Sequence, residues 1–142
     1  MTKVFLNELS SGAYGHLCND SFEYFYIDYL REESGWKIHV SAYPAIAPIV
    51  LSVVLPIMAK YNCPFKVMKN EDVLTKNLSD SNNIQTGKFI TIYPNKNNYF
   101  DICKDLIYRI LFFIKNQKIW LCAFSYSFLH SRWKCLPCRR VY

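Results

Sequence analysis

From Trp36 to Ser41 the chain alternates without a break: Trp36, Ile38 and Val40 are apolar, while Lys37, His39 and Ser41 are polar. A period of two marks a β-strand with one face buried and three polar side chains on the other. Two further short segments repeat the theme. Phe65 and Val67 point away from Lys66, and residues 87–93 read as a third strand with Lys88 starting one face.

Helical stretches separate these strands. Residues 44–60 predict a helix with Pro48 in or near its first turn and Pro56 bending its last turns, closed by the breaker Tyr61-Asn62-Cys63-Pro64. Asn70 is placed to cap a short helix opening at Glu71. Residues 78–86 read as a loop and 94–98 as a turn. Residues 99–113 show helical periodicity through Phe100, Cys103, Ile107, Ile110 and Leu111. Upstream, residues 22–29 are aromatic and read as a strand or packed segment, and 32–35 as a turn. Residues 1–20 are weakly patterned, with Gly12, Gly15 and Asn19 as breakers. The fold class is α+β: a small mixed sheet containing 36–41, 65–68 and 88–93. Helices 45–60 and 98–113 are expected on one face, with Lys37, His39, Lys66 and Lys88 converging on the other.

A chain of 142 residues fits one domain, and 51% hydrophobic with 17% aromatic residues suffices for a core. The net charge of +6 is unevenly spread: every acidic residue lies at or before Asp105, and seven of the 17 basic residues lie after it. The body is therefore near neutral and carries no basic stripe, which argues against nucleic acid as a partner. Residues 45–59 fall short of a membrane span and contain two prolines, and residues 106–130 are interrupted by charge, so no membrane partner is expected. No signal peptide is legible at the start, which predicts a cytoplasmic chain with its six cysteines reduced. Cys135-x-x-Cys138 has the spacing of half a zinc site, but no second pair completes it, so no metal is expected.

A lysine two residues from a histidine shares its strand face, about 7 Å away at Cα. For one lysine the plain reading is solubility, and for His39 alone a partly buried structural histidine. Together such residues would bind a dianion and could hand it a proton. G-W-K-I-H-V-S-A (35–42), P-F-K-V (64–67) and T-G-K-F-I-T-I-Y-P (86–94), preceded by F-E-Y-F (22–25), resemble in order the blocks of one family. It is the RamC-like N-terminal domain of class III and IV lanthipeptide synthetases, related to bacterial effector phosphothreonine lyases. The resemblance covers about residues 22–112. It implies the effector lyase fold and β-elimination of phosphate from phosphoserine or phosphothreonine in a precursor peptide, giving dehydroalanine or dehydrobutyrine. By motif, Lys66 corresponds to the general base and His39 to the general acid, with Lys37 and Lys88 binding phosphate or the developing enolate. No cofactor is implied. The implied partners are the phosphorylated precursor peptide and the kinase and cyclase domains that a full synthetase carries.

The chain departs from the family in two places. The interval between F-E-Y-F and G-W-K-I-H is short, and no arginine-bearing Y-R-Y-G-G-F-like block follows Asp105. From residue 115 periodicity fades as the basic bias rises. Residues 1–114 are accordingly expected as the lyase-like domain, and 115–142 as an aberrant, frameshifted tail that packs poorly and exposes Trp120 or Trp133. With suitable codons, residues 135–142 read V-Y-R-V-G-G-F one base later. Three functions stay open: an active lyase, a non-catalytic phosphopeptide- or leader-binding remnant, and a small basic adaptor for nucleic acid or anionic lipid.

Overall fold

The computed structural model describes residues 14–26, 34–79, 87–113, 119–127, 134–135 and 139–141. Side chains are described from Tyr14 to Phe112 within those segments, except His16, Tyr26, Ser34 and Leu111. Strands β1 (Gly15–Cys18), β2 (Phe22–Tyr26) and β3 (Ser34–Ser41) precede helix α1 (Ala47–Tyr61). Strand β4 (Phe65–Met68), helix α2 (Glu71–Ser79), strand β5 (Ile90–Ile92) and helix α3 (Tyr99–Phe113) follow, and β6 (Ile119–Ser127), β7 (Lys134–Cys135) and β8 (Arg139–Val141) come last. The class is α+β. One sheet runs β1-β2-β4-β5-β3-β6-β7, with β8 also on β6.

Every described pairing is antiparallel, where a mixed sheet was expected. The reason lies in the crossovers. β3 and β4 run the same way, but β5 inserts between them and pairs with both. Likewise β5 and β6 run the same way with β3 between them. The crossovers through α1 and α3 therefore each span one strand, α2 links the adjacent antiparallel strands β4 and β5, and among the described strands no two parallel ones are neighbours.

Helix α1 buries Ala47, Val50, Leu51, Val54, Leu55 and Met58 at the three-and-four spacing of a helix packed along one stripe, and Ile57 widens the stripe near its end. Pro48 occupies its first turn, where a missing N–H costs nothing, and the helix continues through Pro56. Asn62 ends it in the left-handed region (φ 47°), and the Cys63 N–H returns to the Met58 carbonyl. At the start of α2 the Asn70 side chain accepts from the Val73 N–H at 2.9 Å, as an N-cap should. The buried row of α3 is Ile102, Leu106 and Ile110. Phe100, expected in that row, is 76% exposed. The true stripe begins two residues later and is flanked by Cys103 and Ile107.

Helix α3 lies against the sheet face that carries Trp36, and α1 packs beside α3. The Trp36 ring stacks on Tyr99 at the start of α3, with centroids 4.7 Å apart. Asp105 of α3 accepts from the Lys60 ammonium at 2.8 Å and the Tyr61 hydroxyl at 2.7 Å, tying α3 to the end of α1. Strand β1, in the stretch read as unpatterned, forms a hairpin with β2. Its turn is held by Asn19 Oδ1, which accepts from the Ser21 and Phe22 N–H groups. Within the span expected as a tail, the β6 backbone pairs with β3 from Ser34 to Ser41. The expectations for residues 80–86 and for exposure of Trp120 and Trp133 lie outside what the structure describes. Among the described residues no helix is long and apolar enough to cross a membrane.

Candidate active site

Three neighbouring strands each contribute one residue to a single row. His39 of β3 stands opposite Thr91 of β5, and Thr91 stands opposite Lys66 of β4. Directly opposed residues on antiparallel strands share a face, so the three side chains project together, away from α1 and α3. Tyr24 of β2 extends the row beyond Lys66. Lys37 lies two residues from His39 on the same face, its ammonium 5.5 Å from the centre of the Tyr93 ring.

Lys88 reaches this neighbourhood by a different device. Strict alternation back from Thr91 would place Lys88 with Ile90 and Ile92, on the helix side. Instead the Phe89 N–H donates to the Val40 carbonyl, while Val40 is already the partner of Ile90. Two residues of one strand oppose one of the other, which is a β-bulge, and it shifts the alternation by one. Phe89 and Ile90 are consequently both buried. Just ahead, Gly87 has φ +78°, a backbone that side chains rarely adopt, and its N–H donates to Asn77 Oδ1 at 2.9 Å. Lys88 thus precedes the regular strand instead of starting it.

The electrostatics follow from like charges meeting in a buried place. His39 is only 8% exposed and Lys66 only 9%. Burial, then the Lys88, Lys37 and Lys66 charges, push the His39 imidazole down to about 3, so it rests neutral. Burial, then Lys88 and Lys37, bring the Lys66 ammonium down to about 8. Lys88 is lowered by burial. The Lys66 Nζ also sits 4.1 Å from the Phe22 ring centre and 5.7 Å from that of Tyr24. A ring face favours the charged amine, so these aromatics oppose the lowering while fixing where Nζ lies.

Such a cluster disfavours its own positive charge and would gain from an anion. Lys66, half neutral near pH 8, can also accept a proton. Among the described residues no group of His, Cys, Asp and Glu is arranged to hold a metal ion. The described thiols Cys18, Cys63 and Cys103 are free, and burial raises Cys63 to about 12.

The four residues singled out in the sequence, Lys37, His39, Lys66 and Lys88, thus fall in one electrostatic neighbourhood. Three more were missed. Phe22 and Tyr24 seat the Lys66 ammonium, and their signal was the alternation of F-E-Y-F, which sends Glu23 to the opposite, core-facing side. Thr91 was the third. Its Oγ1 is 3.0 Å from His39 Nδ1 and it is 1% exposed. A lone hydroxyl inside an otherwise apolar strand was the available clue.

Compared with known families, the chain matches the model described as RamC, N-terminal domain, over residues 20–111. No curated protein matches it. The matched span begins in the β1–β2 turn, ends inside α3 and contains all the site residues above. With well over half its length so matched, and in keeping with the blocks quoted from its strands, this chain belongs to the family of RamC-like N-terminal domains of lanthipeptide synthetases.

Proposed function

We propose that the chain is a phosphoserine/phosphothreonine lyase module that eliminates phosphate from a precursor peptide. The observation that supports it best is the row Lys66–Thr91–His39, flanked by Lys37 and Lys88. In this reading Lys66 Nζ, neutral, takes the Cα proton of the phosphorylated residue. The electron pair forms the Cα–Cβ double bond, the Cβ–O bond breaks, and phosphate departs with that bond's electrons. His39 delivers a proton to the departing phosphate. Lys37 and Lys88 bind the phosphate and offset negative charge that develops on the carbonyl oxygen.

The lowered pKa values fit these roles. A Cα–H beside an amide is a weak acid, and an amine near 8 is both available and basic at neutral pH. His39, held neutral in the empty site first by burial and then by the lysine charges, gains proton affinity once a phosphate dianion offsets the charges of Lys37 and Lys88. Substrate therefore brings the charge that arms the acid.

Incubation with a phosphoserine peptide tests the reading. Loss of the elements of phosphoric acid, seen by mass spectrometry as dehydroalanine, is expected. An unchanged peptide that nonetheless binds in a salt-sensitive manner would favour a non-catalytic phosphopeptide-binding module instead. The specific observation in favour of that second reading is that no arginine-bearing block follows Asp105, and a lysine does not replace a bidentate arginine grip on phosphate.

A further inference from the structure

Between the base and the acid of that reading stands a residue that neither needs for charge. Thr91 is the shared partner of Lys66 and His39 in the ladder, and its hydroxyl meets the Nδ1 side of the imidazole at 3.0 Å. Both groups are buried, so this hydrogen bond does not exchange freely with water.

We propose that Thr91 is a positioning residue for His39: its hydroxyl holds Nδ1 in both charge states of the ring, so that proton delivery runs through Nε2. The inference rests on the lyase reading for its kinetic consequence, but not for its structural one.

The chemistry of the hydroxyl explains why this residue type suits the place. In this arrangement the neutral ring carries its proton on Nδ1, which donates to the Thr91 oxygen and leaves Nε2 bare to take up and deliver a proton. When the ring is an imidazolium, the same oxygen still accepts from Nδ1–H. A carboxylate there would hold the ring charged at rest, and an ammonium would forbid the charge altogether. The surrounding groups make this neutrality matter. Lys37 on the same strand, Lys66 on β4 and Lys88 ahead of β5 all act on His39, and on β6 the residue registered against it is Cys122. With three lysines already disfavouring the imidazolium, a partner that follows the proton without adding charge lets the substrate decide when His39 is protonated. Fixing Nδ1 also fixes the ring plane, and with it the direction in which Nε2 presents its proton.

Thr91→Val keeps the β-branched shape and removes the hydroxyl, while Thr91→Ser keeps the hydroxyl. Two measurements on the full chain decide. Long-range ¹⁵N–¹H spectra of the imidazoles, with the His39 signals assigned through His39→Gln, report the tautomer. Kinetics on a phosphoserine peptide report turnover. The native chain and Thr91→Ser are expected to show one dominant His39 tautomer, and Thr91→Val a mixture. For Thr91→Val, kcat should fall about 10–100-fold, a part of the roughly 10²–10⁴-fold that a positioned acid contributes, while KM changes by less than about twofold. Thr91→Ser should restore most of the loss. A Thr91→Val protein with a native amide spectrum, an unchanged tautomer and unchanged kcat overturns the proposal. So does equal loss in both variants, which would mean that packing and not the hydroxyl matters. If the native chain eliminates no phosphate, the lyase reading has failed, and the imidazole spectra alone still decide whether Thr91 sets the tautomer.

Discussion

Lys66 and His39, on strands that do not touch, are aligned because each is registered against the same residue of the strand between them. Two interstrand steps separate them, about 10 Å at the backbone. That gap suits two long side chains acting on opposite ends of one small group. The sheet, and not a loop, sets the spacing, so the alignment is as rigid as the ladder.

Lys66 should be a residue whose removal stabilises the fold. Its folded pKa of about 8 lies below the ordinary lysine value of 10.5, so stability from this group is present above 10.5 and lost as pH falls toward 8. At pH 7 the buried charge therefore opposes folding. Lys66→Met, which keeps the apolar stem, should raise stability by roughly 2 kcal/mol while abolishing elimination. Thermal denaturation at pH 7 and at pH 10.5 checks the sign: the gain should shrink at the higher pH. A loss of stability at pH 7 would contradict the account.

The pH–rate profile of the proposed elimination should rise with the deprotonation of Lys66, with an apparent pKa near 8 in kcat/KM. Two substitutions should move it in opposite directions. Lys88→Ala removes a like charge and should shift the limb up by a few tenths of a unit or more, alongside weaker phosphate binding. Phe22→Leu removes the ring that favours the charged amine and should shift it down by about half a unit. Shifts of the same sign in both variants would show that the two forces are not the ones acting.

Much of this arrangement was legible in the residues, and the failures share a cause. Period-two alternation located β3 and the faces of Lys37 and His39, because that strand is regular along its length. Strict alternation does not explain how Lys88 joins them, since a bulge resets the period and nothing local in K-F-I-T announces one; only Gly87, with its positive φ, hinted at irregular backbone. Pairing partners were not legible either. That β5 inserts between β3 and β4, and so brings Thr91 between Lys66 and His39, is decided by long-range contacts. Residues 119–127 are almost continuously apolar, and such a run carries no period to mark it as a strand, although its backbone lies along β3. The Phe100 error was one of phase: in a helix with apolar residues on several sides, the buried stripe is chosen by the sheet beneath it.

Acid should weaken the fold through His39. The ring titrates near 6.5 when unfolded and near 3 when folded, so the unfolded chain binds more protons between those values. Stability is fully present above pH 6.5 and falls progressively toward pH 3, by roughly 3 kcal/mol from this group. His39→Gln should flatten the dependence of the melting temperature on pH across that window. An unchanged slope would mean that His39 does not rest neutral.

Inorganic phosphate should bind the site and take up a proton as it does so. An anion among Lys37, Lys66 and Lys88 raises the proton affinity of Lys66 and His39, so calorimetric titrations in buffers of different ionisation heat should show net proton uptake near pH 8, where free phosphate is already the dianion. Lys37→Ala and Lys88→Ala should each weaken binding several-fold and reduce the uptake. Binding without uptake would place the phosphate away from Lys66 and His39.

A phosphoserine peptide deuterated at Cα tests the central claim most directly. Removal of that proton by Lys66 predicts a product that has lost both phosphate and deuterium, formed more slowly than from the protiated peptide and absent with Lys66→Met. A serine product that keeps its deuterium, or a peptide left unchanged by the native chain, would contradict it.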